Sequence, residues 1–402
     1  MRIAHFSDSE PGRIDGVSVS AGLTVDLLRA AGHQVPYFHP GPIRTVPVPG
    51  RLIRLAAPWL SIDPGLCCSR RLVLRTARRT RIPGPVDVVH AHTTGPIGMA
   101  GFRLARRYGI PLVVTWHTDL VAYGEHFFEV PIGAAYCGHR LRLGWSARET
   151  LELARPRTRR ARLVDLGRGM MAYAGLVVAP SAKTAAALTE FAPLPPVRIL
   201  PTPAVLPEPA GGPVGVPAGG PIVLSVGRVT GEKNPGLLLR AFRQLLDRRP
   251  DARLVVIGVR QNRRAAHRAV TALGMTGRVH LLPPVPRAAL PGWYRAADVL
   301  VLASTTDTQS LVVSEAESAG LPVVLADRDL SDGYRLACAP TPEALGDGLH
   351  RMLTDPRLRD RVRRAGLAAA AANSPQRYLA RLEAAYRDAV SDSAARRLRS
   401  GR

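Results

Sequence analysis

The strongest constraint on this 402-residue chain is an alternation that runs twice and is interrupted once. Short apolar runs, each long enough for a buried strand, take turns with segments whose apolar residues recur at helical spacing. In the first half the strand-like runs are Ile3–Phe6, Val35–Phe38, Val86–His90, Pro111–Trp116 and Leu176–Ala179. Helical patterns cover Ser20–Ala31, stopped by Gly32, and Ile97–Tyr108, stopped by Gly109, with another starting at the capping Ser181. Residues 201–213 then break the periodicity with a run of proline and glycine. The alternation restarts with strands at Ile222–Val226, Arg253–Gly258, Val279–Leu282, Val299–Leu302 and Pro322–Leu325. The helices of this half are expected at Leu237–Leu246, Arg264–Leu273, Leu290–Ala296 and Val312–Ala319. Strand and helix in strict turn predict βαβ units and parallel sheets. The expectation is therefore an α/β protein with two Rossmann-like, doubly wound domains facing a cleft. Their bounds are 1–199 and 221–375, with a linker at 200–220. A basic helical tail at 376–402 is expected to pack back towards the first domain.

Composition narrows the function classes. The net charge of +24 would suggest an anionic polymer as partner, but only Lys183 and Lys233 are lysines among the 55 basic residues. An arginine bias this complete, alongside abundant alanine, glycine and proline, has the form of a genomic codon preference. It does not point to a specific nucleic-acid partner, although so positive a field attracts phosphates, nucleotides and anionic membrane surfaces. Cys67, Cys68, Cys137 and Cys338 have neither metal-site nor disulfide-framework spacing. The N-terminus lacks the charged start and apolar stretch of a secretory signal, and no apolar run is long enough to span a bilayer. A cytoplasmic location, with peripheral attachment to the inner membrane face as a variant, is the expectation.

Three segments have the residue types for chemistry. Gly227–Pro235 follows the strand Ile222–Val226 and holds Arg228 and Lys233 five residues apart in a turn entering a helix. Loops at the C-terminal ends of strands face the ligand crevice of a doubly wound sheet, and a helix N-terminus favours anions, so both cations can serve one diphosphate. The segment does not match GxxxxGK[ST]. Ser304–Ala316 follows Val299–Leu302 and spaces Asp307 and Glu315 eight residues apart, one before and one inside a helix. Asp307 is suited to accept hydrogen bonds from sugar hydroxyls and Glu315 from two ribose hydroxyls. Gln309, Ser310 and Leu311 lie at the helix start between them, where free backbone N–H groups hold anions. In the first half, His117 follows the strand Pro111–Val114, and Gly12 and Gly16 follow the first strand.

In this order, the segments resemble the retaining GT-B glycosyltransferases of family 4. The resemblance rests on Asp87–Thr93, reading DVVHAHT, on His117, on Val178–Ser181, on Gly227–Asn234, on Ala297–Val299 and on Asp307–Val324, which includes EAESAGLPVV. It implies a hexosyltransferase whose UDP- or GDP-sugar donor binds mainly to the second domain, while a hydroxyl acceptor enters from the first. Arg228 and Lys233 would neutralise the leaving diphosphate. Asp307 would face the donor sugar, Glu315 the ribose, His117 the reacting centre and sugar C6 hydroxyl, and Gly16 the diphosphate. No cofactor and no metal are implied, and no enzymic nucleophile is required. A non-catalytic GT-B protein that binds a nucleotide sugar, or acts as a partner subunit, is the alternative.

Several positions depart from the family pattern. Asp307 replaces a glutamate, Ser310 a glycine, and Pro201–Val205 an Asn-Gly or Thr-Gly turn. Gly258-Val259-Arg260 lacks a second glycine, and Ala326-Asp327-Arg328-Asp329 stands where a Gly-Gly loop is usual. The DxD within that loop reads as coincidental. Two acceptor classes are compatible: a membrane lipid, or a small polyol or natural-product intermediate. The arginines of 70–81, interleaved with Leu72 and Leu74, and those of 140–168 are candidates for a basic surface on an anionic membrane.

Overall fold

The computed structural model describes residues 1–9, 15–39, 85–126, 129–208, 215–216, 219–260 and 262–400. Gly12, Cys67, Cys68 and the basic segment 70–81 lie outside the described residues. The chain divides into two compact units, Met1–Pro201 with Gln376–Arg402, and Thr202–Pro375.

The first unit contains strands β1 (Ile3–Phe6), β2 (Tyr37–Phe38), β3 (Val88–Ala91), β4 (Leu112–Thr115), β5 (Leu176–Ala179) and β6 (Val197–Ile199). They form one parallel sheet in the order β2-β1-β3-β4-β5-β6. The order reverses between β1 and β3, and at such a point the loops leaving two neighbouring strands turn to opposite faces and open a crevice. The strands are apolar on both faces because both are covered. Ala4, Phe6, Val89, Ala91, Leu112, Val114, Val177 and Ala179 share a core with helix Pro96–Tyr108 and helix Pro156–Tyr173. The alternate residues Ile3, Val88, Val113, Leu176 and Val178 pack with helix Gly16–Ala30 and with the C-terminal helix Pro375–Ser400. That last helix contributes Tyr378, Leu382, Ala385, Tyr386 and Ala389, positions that fall on one face of a helix as one apolar stripe.

The second unit repeats the plan with β7 (Ile222–Val226), β8 (Arg253–Ile257), β9 (Val279–Leu282), β10 (Val299–Leu302), β11 (Val323–Leu325) and β12 (Leu336–Ala337). Their order, β12-β11-β10-β7-β8-β9, is parallel throughout and reverses between β7 and β10. Helices Pro235–Leu246 and Pro342–Thr354 share one core with Val223, Leu254, Val256, Val299, Val301 and Val324. Helices Leu290–Ala296 and Leu311–Ser318 cover the other face.

Some elements differ from expectation at their ends. The first helix begins at Gly16 rather than Ser20, since Asp15 caps it by accepting from the Ser18 N–H. Pairing with β1 confines the second strand to Tyr37–Phe38, where Val35–Phe38 was expected. Four helices between Leu120 and Tyr173 were not foreseen, nor were Pro342–Thr354 and Pro356–Ala372. Each of the latter two carries proline in its first turn and an oxygen cap, Thr341 and Asp355 respectively.

Candidate active site

The loops that leave β7 and β10 at the strand reversal of the second unit are stitched together. After β7, a 3-10 turn at Gly231–Lys233 buries Glu232, which is only 3% exposed. The carboxylate of Glu232 accepts from Arg228 Nη2 at 3.1 Å and from the Thr230 hydroxyl at 2.7 Å. Its backbone carbonyl accepts from Ser304 Oγ at 2.9 Å and Thr306 Oγ1 at 3.3 Å, both in the loop after β10. These bonds hold the next residue, Lys233, against the second loop, where Nζ lies 2.5 Å from Asp307 Oδ1. Asn234 then enters the left-handed region at φ 49° and caps helix Pro235–Leu246 through the Leu237 N–H. Behind this loop Gly258 packs so tightly that a Cβ would stand 2.3 Å from the Gly227 carbonyl oxygen. Glycine is required there, and the contact fixes the root of the Arg228 loop.

The second group of donor-site candidates lies beyond Asp307. Both amide atoms of Gln309 are engaged with Thr202: Oε1 accepts from its N–H at 2.9 Å and Nε2 donates to its carbonyl at 2.7 Å. Gln309 thus clamps the start of the second unit to the loop after β10. Ser310 sits at φ 62°, ψ 89°, a left-handed conformation that a glycine would adopt without strain. Helix Leu311–Ser318 follows, and Glu315 lies in its second turn. Its Oε1 accepts from Arg287 Nη2 at 2.8 Å and its Oε2 from the Tyr294 hydroxyl at 2.8 Å. Burial raises the Glu315 pKa above the ordinary carboxylate value, against the opposing pull of Arg287 and the tyrosine hydroxyl. Arg287 and Tyr294 had no signal in the sequence, because neither lies in a motif and both reach Glu315 from a preceding turn and helix. The DxD candidate is structural: Asp327 caps the 3-10 turn Arg328–Leu330 by accepting from the Asp329 N–H at 3.0 Å.

In the first unit Gly16 opens its helix, and a Cβ there would meet nothing within 4 Å. His117 follows β4 and is half-buried, with a pKa lowered to about 4 by burial. It is not isolated. His92 Nδ1 lies 3.2 Å from His117 Nε2, and His5 Nδ1 lies 2.9 Å from His92 Nε2. His90 joins the same cluster, with Nδ1 at 2.7 Å from the Tyr386 hydroxyl and Nε2 at 2.7 Å from Thr115 Oγ1. Sequence reasoning singled out only His117 of this set for the site. The usable signal was parity: register pairs His5 with His90, and His92, two residues on, falls on the same face.

The described residues of both units have counterparts among known proteins. Residues 14–204 match the description "Glycosyltransferase Family 4", and residues 213–368 match "Glycosyl transferases group 1". The D-inositol 3-phosphate glycosyltransferase of Thermobifida fusca is 30% identical over 379 residues, covering 85% of this chain and 80% of that protein. The chain belongs to glycosyltransferase family 4. A second relative of this glycosyltransferase, the alpha-monoglucosyldiacylglycerol synthase of Acholeplasma laidlawii, is 24% identical over 352 residues, 83% of this chain and 82% of that one. The sucrose-phosphate synthase structure from Thermosynechococcus elongatus superposes with a TM-score of 0.74 at 20% identity, covering 96% and 98% of the two chains. The two six-stranded doubly wound sheets of this family 4 enzyme are the GT-B fold. No helix among its described residues is long and apolar enough to cross a membrane.

Proposed function

We propose that this glycosyltransferase takes a hexose from a UDP- or GDP-sugar and transfers it, with retention, to a hydroxyl acceptor. The observation that carries the reading is the Lys233–Asp307 contact at the strand reversal of the second unit. A cation and a sugar-binding carboxylate stand together where a doubly wound sheet binds nucleotides.

Breaking an anomeric C–O bond builds negative charge on the departing diphosphate and oxocarbenium character on the sugar. Lys233 and Arg228 answer the first need as a point charge and a planar fork, with the start of helix Pro235–Leu246 adding its positive end. Glu315 takes the ribose hydroxyls, with Arg287 and Tyr294 keeping its carboxylate fixed. Ser310 and Leu311 offer backbone N–H groups to phosphate. In the first unit, His117 and Gly16 are assigned to the sugar C6 hydroxyl and the diphosphate on the family resemblance alone. The leaving phosphate oxygen accepts the acceptor's proton, so catalysis is assigned to these groups without a metal or a protein nucleophile.

For the acceptor, the relative of known activity at 30% identity acts, by its name, on inositol 3-phosphate, and this favours a small phosphorylated polyol. A lipid acceptor is the second reading, favoured by one specific surface. Arg148 on helix Ala147–Glu152, Arg155 at the cap before helix Pro156–Tyr173, and Arg157, Arg160 and Arg168 on that helix are exposed, as is Leu151 at 63%. Incubating the protein with UDP- and GDP-sugars and both acceptor classes, with 1H NMR of the product anomer, tests the proposal. Transfer with the donor's anomeric configuration supports it; inversion, or inertness across the panel, refutes it.

A further inference from the structure

Four histidines from three adjacent strands form a connected cluster in the first unit, three of them buried and His117 half-buried. His5 is on β1, His90 on β3, His92 just beyond β3 and His117 just beyond β4. Their rings stack in sequence, with centroids 5.1 Å apart for His5 and His92, 4.2 Å for His90 and His92, and 5.5 Å for His92 and His117. Burial and the neighbouring rings, with Arg29 acting on His5, hold the pKa of His5, His90 and His92 well below the ordinary histidine value. At neutral pH every ring is therefore neutral, with one N–H and one bare nitrogen.

The order of atoms along the run is informative. His5 Nδ1 meets His92 Nε2, and His92 Nδ1 meets His117 Nε2. If His5 carries its proton on Nδ1, it donates to His92 Nε2, which puts the His92 proton on Nδ1, and the same choice passes to His117. If His5 is protonated on Nε2, both contacts reverse and all three rings are Nε2–H. At the far end His5 Nε2 faces the Tyr386 hydroxyl at 3.5 Å, and that hydroxyl also binds His90 at 2.7 Å.

We propose that His5 and His92 are positioning residues that lock the tautomer of His117, through a run of three imidazoles sharing one tautomer. The run extends the site from the reacting centre to the C-terminal helix, which supplies Tyr386. Its kinetic consequence rests on the function proposed above; the tautomer lock itself does not. The three rings His5, His90 and His92 also each bring a nitrogen within 4.8 Å of the others, a spacing within reach of a metal. Those nitrogens are already paired with one another, with Thr115 or with Tyr386, which favours the hydrogen-bonded run.

Two-bond 1H–15N correlation spectra of the full-length protein, labelled with 15N-histidine at pH 7.5, read each ring's tautomer directly. The expected result is one common tautomer for His5, His92 and His117. His5→Leu, two rings from the site, should release His117 into a tautomer mixture and lower kcat about tenfold with little change in donor KM. His5→Asn, whose amide turns to donate or to accept, refills the contact with His92 without fixing its direction and should leave the tautomer mixture in place. Tyr378→Phe, on the same helix as Tyr386, removes a hydroxyl bound to Thr24 and should leave the spectra unchanged. Mixed tautomers in the wild type, an unaltered His117 in His5→Leu, or an unaltered kcat in that variant would overturn the proposal. So would stoichiometric zinc uptake that shifts the three rings. If no donor is ever turned over, the function fails while the spectra still decide the lock.

Discussion

The Lys233 ammonium stands 2.5 Å from Asp307 Oδ1, joining loops that leave two neighbouring strands of the second sheet. The pair is half-open, with side-chain exposures of 26% and 14%, so an incoming diphosphate can reach the ammonium. Replacing Lys233 by methionine should lower kcat by about 10²–10³ by removing a charge aimed at the leaving group. Steady-state kinetics with the best donor checks this; a change confined to KM would point to uniform binding instead.

Glu315 is buried against Arg287 and Tyr294, and Arg287→Met would leave a carboxylate without its cation. Because the arginine side chain is 39% exposed, the cost is nearer about 2 kcal/mol than the full buried-pair value. The penalty belongs to the charged form and Glu315 already has a raised pKa, so it should be largest near pH 7.5 and shrink as acid protonates the carboxyl. Denaturant melts of the variant at pH 7.5 and 5 measure the difference.

Ser310 occupies a left-handed conformation at φ 62°. Ser310→Gly should raise the stability of the second unit by about 1 kcal/mol, a Tm increase of roughly 2–4 °C, by removing the Cβ clash. Differential scanning calorimetry reads the shift, and a lower Tm would contradict backbone strain at Ser310.

The histidine cluster predicts acid sensitivity. His117, with its pKa lowered to about 4, and His5, His90 and His92, held by burial well below the usual range, bind no proton when folded at pH 5–6.5, whereas their unfolded forms do. Unfolding then takes up protons, so stability is complete above about pH 6.5 and falls as pH drops, by about 1.4 kcal/mol per pH unit for each proton. Asp8 and Glu315, whose folded pKa values are raised, act in the opposite sense at lower pH. Melting the wild type and His5→Leu between pH 7.5 and 5 should show a shallower slope for the variant.

The fold was legible because both sheets are built from parallel strands whose helices cover both faces. Such strands read as continuous apolar runs, and ten of the twelve strands among the described residues are located in the sequence. The short outer strands β6 and β12 were missed: Val197–Ile199 is partly exposed and Leu336–Ala337 has two residues, so neither leaves an apolar run. Sequence position put Lys233 and Asp307 each in a loop after a strand, but their direct contact depends on the strand order that makes β7 and β10 neighbours. What stayed hidden was made by contacts across the sequence: Arg287 with Glu315, Gln309 with Thr202, Tyr386 with His90. The separations run from 28 to 296 residues, and no local pattern encodes them.

Calorimetric titration of UDP and GDP into the wild type, Lys233→Met and Glu315→Gln tests the donor site most directly. One of the two nucleotides is expected to bind the wild type at one site per chain. Each substitution should weaken that binding at least about tenfold, while circular dichroism stays native. Wild-type protein that binds neither nucleotide, or variants that bind as the wild type does, would contradict the donor-site assignment.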